Sequence, residues 1–159
     1  MPTITALLHT QNDGLCLGRC LEMLYACDDI VIIDHHSHDD TLRVAREYGA
    51  RIVTGDAPQP LPMLLPIKAG WIFCVDPWES FSESLSTSLF ECRSGLIPMN
   101  AGATFSVLLR EETAEGWRVR PTAQTRLVPA NWNRWQGRLP IHDDSSQLLP
   151  GELLRFAFP

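Results

Sequence analysis

The carboxylates and histidines of this 159-residue chain gather at a few places. Three polar segments each follow an apolar run. Thr10-Gln11-Asn12-Asp13 follows the run from Ile4 to His9, Asp34 to Thr41 follows Ile30-Val31-Ile32-Ile33, and Asp76-Pro77-Trp78-Glu79 follows Ile72-Phe73-Cys74-Val75. If each run is a strand of an open α/β sheet, all three segments lie beyond the carboxyl ends of the strands, where such sheets bind ligands. Further along, His142-Asp143-Asp144 is the most concentrated polar cluster, although a solvated loop before Ser145-Ser146 is the simpler reading. Cys16 and Cys20 stand four apart on a predicted helix and could share a metal, but no second pair completes a tetrahedral site. Two small core residues explain them more simply.

The elements that must position these residues read as an alternation of strands and helices. Ile4 to His9 is a short buried strand, and Asn12-Asp13-Gly14 marks a turn. From Leu15 a helical stripe runs through Leu17, Leu21, Leu24 and Cys27. The β-branched run Ile30 to Ile33 predicts a strand buried on both faces. Asp39 or Ser37 can cap the next helix, whose inner face is Leu42, Ala45 and Tyr48 and whose end suits Gly49. Ala50 to Val53 is a third strand, and Ile72 to Val75 a fourth. This spacing predicts a parallel sheet with right-handed crossovers.

Four prolines between Pro58 and Pro66 rule out a regular long helix over 57–69. Ser82 caps a helix to about Glu91. Ala103 to Arg110 and Trp117 to Arg120 pair as antiparallel strands, and Thr125 to Val128 adds another. The tail from Pro129 reads as turn formers with two tryptophans, Trp132 and Trp135. These are three apart and could stack on a sugar, but core or edge packing is the commoner use.

Composition sets outer bounds. A formal charge of −6 with one lysine, Lys68, argues against nucleic acid as a partner. No apolar run is long enough to span a bilayer, and the first residues lack the basic region of a secretory signal. Five cysteines without a Cys-x-x-Cys suit buried thiols in a reducing, cytoplasmic setting.

The three strand-end segments, in order and spacing, resemble the family 2 glycosyltransferases over residues 3 to about 92. Thr10-Gln11-Asn12-Asp13 fits that family's first turn. Asp34, Ser37, Asp39 and Thr41 fit its Asp-x-x-Ser-x-Asp-x-Thr motif, and Trp71 opens the fourth strand as expected. The resemblance implies a GT-A-like, Rossmann-like sheet, mostly parallel and flanked by helices, with a smaller antiparallel C-terminal part. Residues 1–92 would be the nucleotide-binding half and 93–159 the acceptor-side half of one domain. It further implies a nucleoside-diphosphate sugar, a UDP-sugar, as ligand. Thr10, Asn12, Asp34, Asp39 and Asp76 would contact it, because carboxylates accept hydrogen bonds from uracil N–H or ribose hydroxyls.

The family's acidic motif holds Mg²⁺ or Mn²⁺ against the diphosphate. Here Asp76 and Glu79 occupy its outer acidic positions, and Trp78 stands where the second Asp belongs. Tryptophan cannot ligate a divalent cation, so the expectation is an impaired metal site and weak or absent transfer. In the Pro-rich segment Lys68 is the lone polar candidate. The acceptor-activating base has four candidates, Glu111, Glu112, Asp143 and Asp144, and no motif selects among them. Two alternatives stand beside transfer. One is a non-catalytic relative that keeps the fold. The other is a zinc hydrolase, since His36-Ser37-His38-Asp39-Asp40 resembles the metal loop of metallo-β-lactamase-like enzymes, with His35, His36 and His38 as ligands.

Overall fold

The computed structural model describes residues 2–55, 67 and 70–159. The expectation for residues 57–69, and Lys68 with it, lies outside the described residues apart from Ile67. Strand β1 (Ile4–Thr10) leads through helix α1 (Gly14–Glu22) to β2 (Asp29–Asp34), and helix α2 (Thr41–Glu47) leads on to β3 (Arg51–Thr54). Strand β4 (Trp71–Cys74) completes a parallel set in the order β3-β2-β1-β4. Thr10 pairs with Asp34 at the ends of β1 and β2, so the first two polar segments emerge side by side.

The β-branched run of β2 shows why this sheet is two-sided. Ile32 packs with Leu8, Leu17 and Leu21 on one face. Val31 and Ile33 pack with Leu7, Ile72 and Val128 on the other. Each such side chain contributes about 1.5–3 kcal/mol when fully buried, so a polar face on β2 would not be tolerated. The helical stripe after Leu15 is α-helical only to Glu22; a 3₁₀ turn, Met23–Ala26, carries the buried Leu24. Helix α2 buries Ala45 as expected, but with Thr41 in place of Leu42 and Tyr48. Thr41 and Ala45 are buried, whereas Tyr48 is 42% exposed. The Thr41 hydroxyl accepts the Asp13 N–H at 2.9 Å, and that bond turns residues 41 and 45 inward.

The remaining elements are β5 (Glu79–Phe81), α3 (Glu83–Ser94), β6 (Phe105–Thr113), β7 (Gly116–Val119), β8 (Gln124–Pro129), β9 (Trp135–Gln136), β10 (Leu139–Pro140) and β11 (Gln147–Arg155). Ser82 caps α3 as expected, its hydroxyl accepting the Leu85 N–H at 3.2 Å. The sheet continues beyond β4 in the order β8-β6-β11-β5, with β7 paired to β6 as the sequence predicts. β9 and β10 form a separate antiparallel ribbon.

Strand β11 corrects the reading of the tail as turns. It is nine residues long and lies inside the sheet, parallel to β6 and antiparallel to β5. Pro150-Gly151 hides it in the sequence, because both residues normally end strands. The register shifts there, between Leu148 and Glu152, and the strand resumes. Gly151 has φ 103°, and a Cβ at this position would stand 2.2 Å from the Leu85 nitrogen. The glycine therefore lets β11 pass directly over the start of α3.

Candidate functional site

The first two strand-end loops are tied to each other by side chains that the sequence singles out. Asp34 is 3% exposed and accepts three hydrogen bonds. Thr10 Oγ1 donates to its Oδ1 at 2.7 Å, the Ser37 hydroxyl to the same oxygen at 2.6 Å, and the Ser37 N–H to Oδ2 at 2.9 Å. Burial pushes the Asp34 pKa up, but the bonds from Ser37 and Thr10 outweigh it and hold the carboxyl below its ordinary range. Ser37 Oγ in turn accepts the Asn12 N–H at 2.9 Å, and Asn12 Oδ1 accepts the His38 N–H at 2.8 Å. Asn12 adopts φ 55°, a left-handed conformation that asparagine tolerates better than most residues.

Asp39 links the two helix starts. Its carboxylate accepts the Gly14 N–H at 2.9 Å and the Thr41 N–H at 2.9 Å, and also the Thr41 hydroxyl. The residue at the α2 cap position is Asp40, whose side chain makes no capping bond. Ser37, the other expected cap, is committed to Asp34 and Asn12. At Gly14 a Cβ would stand 2.9 Å from Asp39 Oδ2, so glycine is what allows this approach.

Beyond these loops lies a cleft of about 590 Å³ whose lining includes His9, Asn12, Asp13, His35, Trp78 and Arg138. Asp39 borders a smaller adjoining pocket of about 230 Å³, together with Arg19, Trp78 and Phe156. His9 Nδ1 and His35 Nε2 are 2.9 Å apart, with ring centroids at 5.2 Å and planes only 12° apart. Those distances describe two rings joined nearly edge to edge by one hydrogen bond. The two nitrogens therefore face each other and cannot both turn to a metal. Among the described residues no three His, Cys, Asp or Glu side chains converge as a metal site requires. The zinc reading thus gains no site here.

Burial, then the charges of His35 and Arg138, lower the His9 pKa from 6.5 to about 4. The unfolded chain takes up a proton near pH 6.5 that the folded chain refuses until about pH 4. The penalty on folding is absent above that window and complete below it. His9→Asn is expected to flatten the fall of the thermal unfolding midpoint between pH 6.5 and 4. An unchanged slope would show that His9 titrates normally.

The third segment meets a group of arginines. Asp76 is 2% and Glu79 0% exposed. Glu79 Oε1 accepts the Asp76 N–H at 2.8 Å and Arg126 Nη1 at 2.8 Å; Oε2 accepts Arg126 Nη2 at 2.9 Å and Arg155 Nη2 at 3.0 Å. Burial pushes Glu79 up, but the Arg126 charge and hydrogen bonds bring it below the ordinary glutamate range. Asp76 is raised, by burial first and then by Glu79. Its Oδ1 lies 2.8 Å from Arg138 Nε, which is buried and off the line of an ideal hydrogen bond, so the contact is an ion pair. Arg155 approaches Asp76 Oδ2 at 3.8 Å. Glu79, expected beside Asp76 as a metal ligand, is instead a buried counter-ion with both oxygens taken. The donor set does not fit a divalent cation: one carboxylate is saturated, the other is paired, and an indole lies between them in sequence.

Arg126, Arg138 and Arg155 meet this segment without having been singled out in the sequence. Arg126 left a signal: a charge inside the apolar strand Thr125 to Val128 must be paired when buried. The base candidates are scattered. Glu111 pairs with Arg120 and Arg155, Glu112 accepts the Ala157 N–H, and Asp143 accepts bonds from Thr104 and Ser145. Asp144 lies 3.6 Å from His142. None of the four is among the described residues lining the larger cleft. Trp132 and Trp135 pack against the second apolar cluster, as the simpler reading had it. Of the two cysteines only Cys20 sits in the core; Cys16 is half-buried and lines the smaller pocket.

A sheet whose first four strands run parallel between helices and continue into a largely antiparallel part, with its polar cleft beyond the carboxyl ends of β1, β2 and β4, has a GT-A-like fold. Solved structures agree with it. TarS of S. aureus superposes with TM-score 0.59 at 14% identity, over 80% of this chain and 28% of that one. Residues 1–349 of TarS in complex with UDP give 0.56 at 16% identity, over 76% and 38%. Mannosyl-3-phosphoglycerate synthase from Rubrobacter xylanophilus gives 0.53 at 19% identity, over 71% and 42%. In sequence the chain is 27% identical over 128 residues to the lipopolysaccharide core biosynthesis glycosyltransferase LpsC of Rhizobium meliloti, covering 73% of this chain and 41% of LpsC. The chain thus spans well under half the length of that curated relative. No protein-family model matches it. No helix among the described residues is long and apolar enough to cross a membrane.

Proposed function

We propose that this chain binds a nucleoside-diphosphate sugar, a UDP-sugar, in the larger cleft and forms the donor-binding part of a glycosyltransferase. The observation that carries this is the stitched pair of loops at the ends of β1 and β2, where Thr10, Asn12, Ser37 and Asp34 hold one another in a fixed arrangement beside a ligand-sized cavity. Base and ribose would lie along Asn12 and the His35–His38 loop, and the diphosphate toward Trp78 and Arg138. Asp34 acts by positioning the loops, since its oxygens are already occupied. Asp39 acts at the rim, where its carboxylate is exposed. The likeness to a UDP complex of TarS supports this ligand class, and the likeness to LpsC supports a glycosyltransferase setting.

A second reading, a relative that binds donor without transferring sugar, is favoured by one observation. The acidic pair that would hold a cation is neutralised by arginines. A panel of UDP-sugars with the purified chain separates the two. Both readings expect a rise in unfolding midpoint with UDP, since a ligand of the native state stabilises it by mass action. UDP release above the uncatalysed rate would establish turnover of the donor, and its absence with binding intact would favour the non-catalytic form. No stabilisation by any uridine nucleotide would defeat both.

A further inference from the structure

We infer that Arg138 takes the place of a divalent cation in this cleft, binding the ligand's diphosphate and making that binding independent of metal. The inference rests on the donor-binding reading above and says how the charge of the donor is met.

The charge pattern leads to it. Around the end of β4 the carboxylates of Asp76, Glu79 and Glu111 are tied to the guanidiniums of Arg126, Arg155, Arg120 and Arg138. Within these direct pairs four guanidiniums meet three carboxylates, so no carboxylate among them is left unpaired. A dication entering between Asp76 and Glu79 would meet carboxylates whose charge is spent, and would have to displace Arg126 or Arg138. Both Glu79 oxygens are hydrogen-bonded to arginine, and removing that pairing would leave charge buried at a side chain with 0% exposure.

Arg138 differs from the other arginines in where it faces. Arg126 is fully buried, while Arg138 is 41% exposed in its side chain and lines the cleft. It projects from the turn between β9 and β10, and its Nε meets Asp76. Among the described residues no other carboxylate is ion-paired with it, although Asp13 in the same cleft lies near enough to feel its charge. Its guanidinium carbon lies 5.0 Å from the centre of the Trp78 ring, within the range of cation–π attraction. Trp78 thereby gains a use at the position where a second acidic residue was expected. A guanidinium anchored at one edge and flanked by an aromatic face offers its remaining N–H groups as a fork, which suits the paired oxygens of a phosphate.

The test titrates uridine and UDP into the whole chain by calorimetry, in EDTA and separately in Mn²⁺, for the unmodified protein, Arg138→Gln and Arg138→Lys. UDP is expected to bind at least about tenfold more tightly than uridine in EDTA, the equivalent of one charge-assisted bond. Mn²⁺ should change the UDP affinity by less than about twofold on the same scale. Arg138→Gln should abolish the preference for UDP over uridine, and the circular dichroism spectrum and unfolding midpoint of the variant check that it is folded. Arg138→Lys should keep part of the preference. A preference that appears only with Mn²⁺, that is absent in the unmodified protein, or that survives Arg138→Gln in EDTA would overturn the inference while leaving the donor-binding reading in place. Binding of neither uridine nor UDP would remove that reading, and this inference with it.

Discussion

Arg126→Met is expected to destabilise the protein by about 3–5 kcal/mol, the range for breaking a buried ion pair from one side. For a domain of this length that corresponds to a fall of roughly 10 °C in unfolding midpoint. The reason is geometric. Glu79 and Arg126 are both 0% exposed, and the guanidinium also donates to the Cys74 carbonyl at 3.0 Å and to Gln124 Oε1 at 2.9 Å. Removing Arg126 leaves the Glu79 charge with Arg155 alone, out of reach of water. Adding Glu79→Gln to Arg126→Met should recover part of the loss, because the stranded charge disappears while an amide oxygen can still accept the Asp76 N–H. Chemical denaturation measures both variants. A loss below about 1 kcal/mol for Arg126→Met, the value of an exposed pair, would contradict the burial of this pair.

Asp34→Ala is expected to weaken UDP binding by at least about tenfold, although the side chain does not line the cleft. Its removal leaves the Thr10 hydroxyl and both Ser37 donors without their acceptor. Each buried donor left unmet costs about 1–3 kcal/mol. Ser37 then loses the orientation that lets it accept the Asn12 N–H, and the loop carrying His35 to His38 separates from the β1 turn. Stability should fall by about 2 kcal/mol or more for the same reason. Because hydrogen bonds depress the Asp34 pKa, its contribution is present above the ordinary aspartate range and fades as pH falls through the lower folded value. Unchanged UDP affinity in Asp34→Ala would show that the stitched loops are not what positions the ligand.

The parallel half was legible because its signals are local. Ile30 to Ile33 could bury both faces only as a central strand, and the polar ends of three strands then had to share one edge. Asp34 and Ser37 were visible for the same reason, and so was Ser82 at the start of α3. What escaped depends on distant partners. β11 is held by β6 and β5 on either side, so Pro150 and Gly151, which would end an isolated strand, only shift its register. Glu79 looked like a metal ligand because its partners, Arg126 and Arg155, lie 47 and 76 positions away in the chain. Spacing along the sequence carries no record of such a pairing. Arg138 was equally hidden: nothing in Gly137-Arg138-Leu139 announces that a two-residue ribbon brings its guanidinium to Asp76.

Backbone amide NMR with UDP added tests most directly that the cleft at the ends of β1 and β2 is the nucleotide site. The amides of Asn12, Gly14, Ser37, His38 and Thr41 are hydrogen-bonded within the stitched loops, and they should shift together and saturably, while those of β7 and α3 stay fixed. Shifts confined to other parts of the molecule, or none at millimolar UDP, would contradict the account.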